Sequence, residues 1–167
     1  DFTSLGDALG QYVINGAVEG DHAGTTVGGV ADQNADGRSD LLIGAPGADN
    51  VTALDAGAGY VVWGQAGVGT LNLAQLGVAG SGKGYIIRGQ AAGDFAGQTM
   101  VSIADQNADG RADIVIGAPG WDLPKKSGGG GGGVAKEDVG AVYVVWGKAT
   151  DTPVPAMVRM IPSVPIF

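Results

Sequence analysis

A tandem repeat constrains the fold of this chain more than any other feature of its sequence. The stretch DQNADGRSDLLIGAPG at 32–47 returns as DQNADGRADIVIGAPG at 105–120, an offset of 73 residues. Only three aligned positions differ between the two stretches, and all three changes are conservative. GYVVWG at 59–64 also returns, as VYVVWG at 142–147. One structural unit is therefore present twice, and the fold must be built from two similar parts.

Each unit consists of short apolar runs separated by glycine-rich turns. The chain has 33 Gly and 7 Pro among its 167 residues, a composition that disfavours helices. In the third run of each unit, Tyr and Val alternate with Val and Trp, which is the period-two pattern of a strand. The predicted strands are 24–32, 39–46, 59–64 and 84–89 in the first unit, 97–105, 112–119 and 142–147 in the second, and 11–16 ahead of both. We therefore predict an all-β fold in which four-stranded antiparallel repeats form β-propeller blades.

The repeat also sets the predicted domain boundaries. Residues 1–20 are expected to carry the outer strand of a preceding blade, residues 21–93 to form blade 1 and residues 94–148 to form blade 2. Blade 2 contains a glycine-rich insertion at 121–138, and residues 149–167 are a proline-containing tail or linker. Two blades cannot close a ring, because propellers have about four to eight. The chain is therefore expected to belong to a longer propeller or to assemble from several copies.

The acidic loop of each unit has the ligand order of a calcium site. Oxygen-bearing side chains occupy loop positions 1, 3, 5 and 9, glycine at position 6 permits a sharp turn, and arginine at position 7 can offer its backbone carbonyl. Several carboxylates within nine residues repel one another unless a cation lies between them. The candidate ligands are Asp32, Asn34, Asp36, Arg38 and Asp40 in the first loop and Asp105, Asn107, Asp109, Arg111 and Asp113 in the second. We predict two structural Ca²⁺ sites; the alternative is a metal-free hairpin built from Asx-turns.

Composition excludes several classes of function. The net charge of −8 and the absence of a basic stripe argue against a nucleic-acid binder. The chain has no cysteine, so disulfides and cysteine-based zinc sites are excluded. No apolar run approaches the roughly 18 residues of a membrane span. His22, the single histidine, has no accompanying nucleophile motif, so we predict that the chain is not an enzyme.

With these residues in place, the chain resembles the FG-GAP repeats of integrin α-subunit β-propellers and their bacterial relatives. GDFAGQTM at 93–100 is similar to the FG part of the repeat, and IGAPG at 43–47 and 116–120 is similar to the GAP part. The resemblance covers roughly residues 1–148 and departs from the family pattern at His22, where the second copy has Phe. It implies a seven-bladed propeller with calcium on the hairpins of one face. It also implies an extracellular or cell-surface protein that acts in adhesion, ligand binding or scaffolding.

The leading functional hypothesis is a non-catalytic, calcium-stabilised propeller segment used in adhesion, protein–protein interaction or assembly. Its expected partners are other blades of the same protein or further copies of this chain, and it could also bind a protein or glycan ligand. One alternative is the accessory propeller of a secreted hydrolase. Another is a carbohydrate-binding propeller, with Trp121 of the insertion as its candidate ligand-binding residue. Trp63 and Trp146 are instead predicted to pack between blades.

Overall fold

A computed structural model describes residues 12–67, 69–78, 81–122, 138–148 and 157–159. Most of the insertion and of the C-terminal tail therefore lies outside the described residues. The described part forms ten short strands and one short 3₁₀ helix, Leu73–Gly77. The strands are β1 (Tyr12–Asn15), β2 (Thr26–Val30), β3 (Asp40–Ala45), β4 (Ala58–Val62), β5 (Gly69–Asn72), β6 (Gly84–Arg88), β7 (Thr99–Ile103), β8 (Asp113–Ala118), β9 (Ala141–Val145) and β10 (Met157–Arg159).

The strands assemble mainly into two antiparallel sheets, one for each sequence repeat. Blade 1 consists of β2, β3, β4 and β6, which pair antiparallel in that order. Blade 2 consists of β7, β8 and β9, also antiparallel. The all-β prediction is confirmed, and blade 2 has three strands within the described residues. A closed propeller ring is not seen in this part of the chain.

Two parallel pairings were not expected from the sequence. β1 pairs with β5, a strand that sequence analysis did not predict, and the 3₁₀ helix follows directly after β5. The Asn72 side chain caps that helix, because its Oδ1 accepts a hydrogen bond from the backbone N–H of Ala74 at 2.8 Å. β10, which falls within the predicted tail, pairs with β6 and adds a fifth strand to the sheet of blade 1. Both pairings join segments that are distant in sequence, so local pattern does not reveal them.

The central strands of blade 1 are covered on both faces, whereas its edge strand β2 is partly exposed. Its β4 strand is buried at all five positions, whereas a strand with one solvated face would alternate. One face packs against blade 2 in an interblade cluster, whose buried members are Val30, Leu42, Val61, Trp63, Tyr85, Ile87, Ala96, Met100, Ile114, Ile116, Ala118 and Val145. The other face packs mainly under β1, β5 and the 3₁₀ helix, with Ile43, Ala45, Ala48, Ala58, Tyr60, Val62, Leu71, Leu73, Leu76 and Ile86 buried. The core therefore lies in two layers, one on each side of blade 1.

The two tryptophans that follow the third strands differ in burial. Trp63 is 7% exposed and meets the ring of Tyr85 edge-on at 5.6 Å, which confirms its predicted place between blades. Trp146 is 49% exposed, and for the second copy the packing between blades stays a prediction. Blade 1 has blade 2 beside its Trp63, but within the described residues no third blade stands beside Trp146.

Candidate metal centre

The acidic loops join β2 to β3 and β7 to β8, and each is organised by its first aspartate. Asp32 accepts hydrogen bonds from the backbone N–H groups of Asp36 at 3.2 Å and Gly37 at 2.7 Å. Asp105 accepts the corresponding bonds from Asp109 at 3.2 Å and Gly110 at 2.7 Å. The carboxylate at position 1 therefore holds the far side of the loop in both copies.

Positions 3 and 5 form a second layer of contacts inside each loop. The Asn34 side chain accepts from the backbone N–H of Asp36 at 3.1 Å and donates from Nδ2 to the Asp36 carboxylate at 3.0 Å. Asp36 in turn accepts from the backbone N–H of Arg38 at 2.9 Å. Asn107 and Asp109 repeat these three contacts at 3.2, 2.9 and 2.9 Å. These are successive Asx-turns, in which short polar side chains bond the backbone two residues on.

The loop backbone turns left-handed at two positions. Gly37 and Gly110 at position 6 have φ of 86° and 87°, a region that glycine enters without steric cost. Ala35 and Ala108 at position 4 also have positive φ, 61° and 60°, which is uncommon for a residue with a Cβ. The glycine was predictable from the sequence but the alanine was not, because nothing in an Ala residue signals a left-handed conformation.

The aspartate at position 9 lies beneath the loop and is fully buried. Asp40 accepts from the backbone N–H of Gln33 at 2.8 Å and from that of Gly64 at 2.9 Å. Asp113 accepts the same two bonds, from Gln106 at 2.7 Å and Gly147 at 2.9 Å. This carboxylate therefore ties the loop to the end of the third strand of its own blade. The glycines that donate these bonds from the end of the third strand, Gly64 and Gly147, were not identified from the sequence, although WG recurs in both copies.

Burial and neighbouring negative charge raise the pKa of these carboxyls, whereas hydrogen bonds from backbone N–H groups lower it. Burial raises the pKa of Asp40, and the negative charges of Asp32 and Asp36 raise it further, while its bonds to backbone N–H groups oppose the change. The hydrogen bond from the backbone N–H of Gly110 lowers the pKa of Asp105, which is only partly buried. Because the charges of Asp32 and Asp36 act on the pKa of Asp40, the three carboxylates of the first loop interact electrostatically.

The donor set of each loop suits a hard cation in chemistry. All candidate side-chain ligands present oxygen atoms, and a carboxylate oxygen that accepts one hydrogen bond retains a further lone pair. The carboxylates, however, already face backbone N–H groups, so the loop is internally satisfied as an Asx-turn structure. Among the described residues, no group of three or more His, Cys, Asp or Glu side chains is close enough to hold a metal ion. Positions 1, 3 and 5 are brought together in each loop, and position 9 lies below them; calcium binding stays a prediction.

A second repeated aspartate was missed from the sequence. Asp21 and Asp94 lie in the GDHAG and GDFAG turns and are 6% and 2% exposed. Each accepts a hydrogen bond from the backbone N–H three residues before it, that of Val18 at 3.2 Å and Ala91 at 2.9 Å. Burial raises the pKa of both carboxyls. Their recurrence in the repeat was the available signal, and their role is to close the turn.

Trp121 does not stand free of the protein core. Its side chain is partly buried and packs against the interblade cluster. Its backbone N–H donates to the Ala118 carbonyl at 3.3 Å, and its own carbonyl accepts from Gly140 at 3.0 Å. The indole therefore contributes to packing, which leaves less of it for a ligand than the sequence suggested.

The chain is similar to segments of two kinds of known protein. No protein-family model matches the chain. No helix among the described residues is long and apolar enough to cross a membrane. Integrin alpha-3 of Cricetulus griseus and of Mus musculus is 34% identical over 116 residues, which is 70% of this chain and 10% of the relative. Phosphatidylinositol-glycan-specific phospholipase D of Bos taurus is 32% identical over 119 residues, 70% of this chain and 12% of the relative. The chain thus spans about a tenth of the length of the curated relatives it matches and is similar to a segment of each.

Proposed function

We propose that the chain is a non-catalytic segment of an FG-GAP β-propeller, stabilised by calcium on its two acidic loops. We further propose that it belongs to an extracellular or cell-surface protein and acts in adhesion, protein–protein interaction or assembly. The observation that carries the proposal is the identity of the two loops. Their hydrogen bonds agree within 0.1 Å and their positive φ values within 1°. The similarity to integrin alpha-3 supports the adhesive reading.

Calcium would have a structural role at these loops. Asp32, Asn34 and Asp36 would hold it from the rim and Asp40 from below, with the corresponding residues in the second loop. The cation would neutralise carboxylates whose charges raise the pKa of Asp40. Because Asp40 also bonds Gly64, fixing the loop would fix the first, second and third strands of the blade relative to one another. Extracellular calcium modules of this kind bind with Kd on the order of 10⁻⁴ to 10⁻³ M.

The calcium proposal is tested by the stability that added calcium confers. With Kd near 10⁻⁴ M, roughly 10 mM calcium would add about 2.7 kcal/mol to the free energy of unfolding for each site. Asp36→Ala and Asp109→Ala each remove one carboxylate and also the bond to the following arginine N–H. The free energy of unfolding without calcium therefore falls in both variants. The informative quantity is the increase in that free energy when calcium is added, which we call the calcium increment. We expect each single variant to lose about half of the increment and the double variant nearly all of it.

A matched control keeps this experiment specific. Glu19 is an exposed carboxylate outside both loops, so Glu19→Ala changes the net charge as the loop variants do. We expect Glu19→Ala to retain the full calcium increment. The metal sites would be refuted if calcium did not raise the free energy of unfolding of the wild type, or if it raised that of the double variant by as much. The loops would then be metal-free Asx-turn structures.

A second candidate function is the accessory propeller of a secreted hydrolase. The similarity to phosphatidylinositol-glycan-specific phospholipase D supports it. Under this alternative the chemistry belongs to another part of the protein, and the present blades support or position it. Incubating this chain with a phosphatidylinositol-glycan substrate tests the non-catalytic part of the proposal, which predicts no cleavage above the rate without protein.

A further inference from the structure

The interface between the two blades joins two different faces. The front face of blade 1 carries Leu42, Val61 and Tyr85, which lie side by side across its strands. It packs on the back face of blade 2, which includes Met100 and Ile116. The contact is therefore heterologous: a front face of one blade meets a back face of the next.

Blade 2 has its own front face, and this surface is uncovered in the described structure. Val101, Val115 and Val144 lie side by side across β7, β8 and β9, as Leu42 and its neighbours do in blade 1. Val101 is 48% exposed and Val144 46% exposed, and Val142 on the same face is 73% exposed. Trp146, the copy of buried Trp63, adds an exposed ring. An apolar sheet face of this kind marks an interaction site.

A comparison of equivalent glycines shows that the front face of blade 2 lacks a contact that the front face of blade 1 makes. A Cβ on Gly44 would overlap the Gly97 carbonyl, and a Cβ on Gly57 would overlap the backbone of Ala96. These two glycines form a slot that holds the Ala96–Gly97 turn of the next blade. In blade 2 the corresponding residues are Gly117 and Gly140. A Cβ on Gly117 would meet nothing closer than Thr99, at 3.6 Å, and a Cβ on Gly140 nothing closer than the Pro119 carbonyl, at 3.2 Å, and both of these neighbours belong to blade 2 itself.

The open slot is part of a surface groove. Gly117, Gly140 and Val142 line this groove, which has a volume of about 550 Å³. We call it the glycine groove. Glycines whose neighbours lie within one blade behave alike in the two copies: a Cβ on Gly64 would stand 2.5 Å from the Ser39 carbonyl, and a Cβ on Gly147 would stand 2.7 Å from the corresponding Ala112 carbonyl. The copies therefore differ where a following blade is present or absent.

A glutamine gives independent evidence for the same missing contact. Gln33 is 1% exposed and reaches across to blade 2, where its Nε2 donates to the Ala112 carbonyl at 2.8 Å. Gln106 is its copy, is exposed, and instead donates to the Ala104 carbonyl of its own blade at 3.1 Å. The same residue in the same loop thus makes a blade-to-blade bond in one copy and a local bond in the other.

The chain also carries the complementary half, uncovered, on blade 1. Ala96 is fully buried, whereas its copy Ala23 is partly exposed and is followed by exposed Gly24. Met100 is 2% exposed and its copy Val27 is 72% exposed. Ala23, Gly24 and Val27 line a second groove of about 460 Å³ on the back of blade 1. β1 and the 3₁₀ helix cover the rest of that back face, so this rim is its accessible part.

We propose that copies of this chain associate head to tail, with the Ala23–Gly24 turn of one copy seated in the glycine groove of the next. This rests on the proposed propeller function, because it extends the blade-to-blade contact already present within the chain. The side chains fit in size. Inside the chain, Met100 lies over Gly59, where a Cβ would stand 2.7 Å from its terminal methyl. Between copies, the shorter Val27 lies opposite Val142, which occupies the position of Gly59.

The contact between copies extends beyond these two side chains. Thr26 donates to the Gln98 carbonyl at 2.7 Å within the chain, so Thr99 is placed to donate to the Thr25 carbonyl of the next copy. Gln106 is likewise placed to reach the carbonyl of Ser39, the copy of Ala112. A heterologous contact of this kind closes into a ring or continues as a filament.

Gly117→Ala tests the groove without disturbing the single chain. Its methyl group meets no atom closer than 3.6 Å in the described structure, but it stands where the same group at Gly44 would overlap the neighbouring turn. Val27→Asp places a charge on the other half of the contact, at an exposed position. Val51→Asp is the matched control, because Val51 is a fully exposed valine outside both halves. Circular dichroism checks that every variant keeps the wild-type fold.

Sedimentation velocity over a protein concentration series is the measurement. We expect wild type and Val51→Asp to increase in mass with concentration up to about 100 µM, well above the Kd of a micromolar contact. Gly117→Ala and Val27→Asp are each expected to sediment as monomers. An equimolar mixture of the two variants is expected to form a one-to-one dimer, since each retains one intact half. A symmetric front-to-front dimer would give no such rescue.

The outcomes separate this inference from the proposed function. Monomeric wild type throughout the series would overturn the inference, and the uncovered front face would then be assigned to a further blade of a longer chain. Association that Gly117→Ala leaves intact would also overturn it. Calcium binding is measured separately on the same samples, so loss of the metal sites with intact association would refute the calcium proposal alone.

Discussion

Gln33→Ala provides a sharp test of how the two blades are held together. Gln33 is buried at the interblade cluster, where its Oε1 accepts from the Tyr85 hydroxyl at 2.9 Å and its Nε2 donates to the Ala112 carbonyl at 2.8 Å. Removing the side chain takes this bond from the buried Tyr85 hydroxyl and from the partly buried Ala112 carbonyl. An unsatisfied buried polar group costs about 1–3 kcal/mol, so two of them predict a loss of roughly 2–6 kcal/mol. This is a large share of the approximately 5–15 kcal/mol that stabilises a typical domain.

The repeat supplies the control for this substitution. Gln106→Ala removes the same side chain from the same loop position, where it is exposed and bonds only locally at 3.1 Å. Surface changes of this kind usually lie within about 0.5 kcal/mol. Urea unfolding curves of the two variants, followed by circular dichroism, give the two free energies. The comparison cancels the intrinsic effect of Gln→Ala on the loop and leaves the effect of the interblade position.

Tyr85→Phe completes a double-mutant cycle with Gln33→Ala. Residues that share a hydrogen-bond network show coupling energies of about 0.5–3 kcal/mol. We expect coupling within that range, because the Tyr85 hydroxyl and Gln33 bond each other directly. Equal destabilisation by Gln33→Ala and Gln106→Ala, together with no coupling to Tyr85, would refute the reasoning that this buried contact joins the blades.

Two further predictions concern the GDFAG turn that contains Asp94 and Ala96 and the glycine that packs against it. Burial raises the pKa of Asp94 above its ordinary 3.8, so ionising it costs stability, and the free energy of unfolding falls as the pH rises from 3.8 through the raised value. Asp94→Asn should make this fall shallower in urea titrations at stepped pH, and an unchanged slope would contradict the assignment. Gly57→Ala and Gly140→Ala share positive φ, 79° and 72°, but a methyl at Gly57 overlaps the Ala96 backbone, whereas one at Gly140 comes no closer than 3.2 Å to the Pro119 carbonyl. We expect Gly57→Ala to lower the thermal midpoint more than Gly140→Ala, whereas equal losses would mean that backbone strain alone matters.

Local pattern was sufficient to predict the strands that belong to the repeat. Each predicted run of blade 1 contains an observed strand, because period-two alternation between glycine-rich turns is a property of neighbouring residues. The conformation of the identical acidic loops is likewise a property of neighbouring residues. Their side chains bond backbone groups two to five residues away, so equal sequences produce equal hydrogen bonds.

Pairings between distant segments were beyond the reach of local pattern. β5 has only four residues, and its partner β1 lies more than 50 positions away along the chain. The addition of β10 to blade 1 depends on a segment that matches nothing in the repeat. In both cases the pairing is decided by which edges and faces remain uncovered once the blades have formed.

Burial of the repeated residues was likewise decided by the tertiary structure. Trp63 and Trp146 end the same YVVW run, and Gln33 and Gln106 occupy the same position of the same loop. One member of each pair is buried and the other exposed. The sequence by itself determined the strands of the repeat, the acidic loops and the existence of two equivalent blades. Only the tertiary structure decided which copy of each interface is filled, because burial depends on the neighbour that packs against a residue and not on the residue itself.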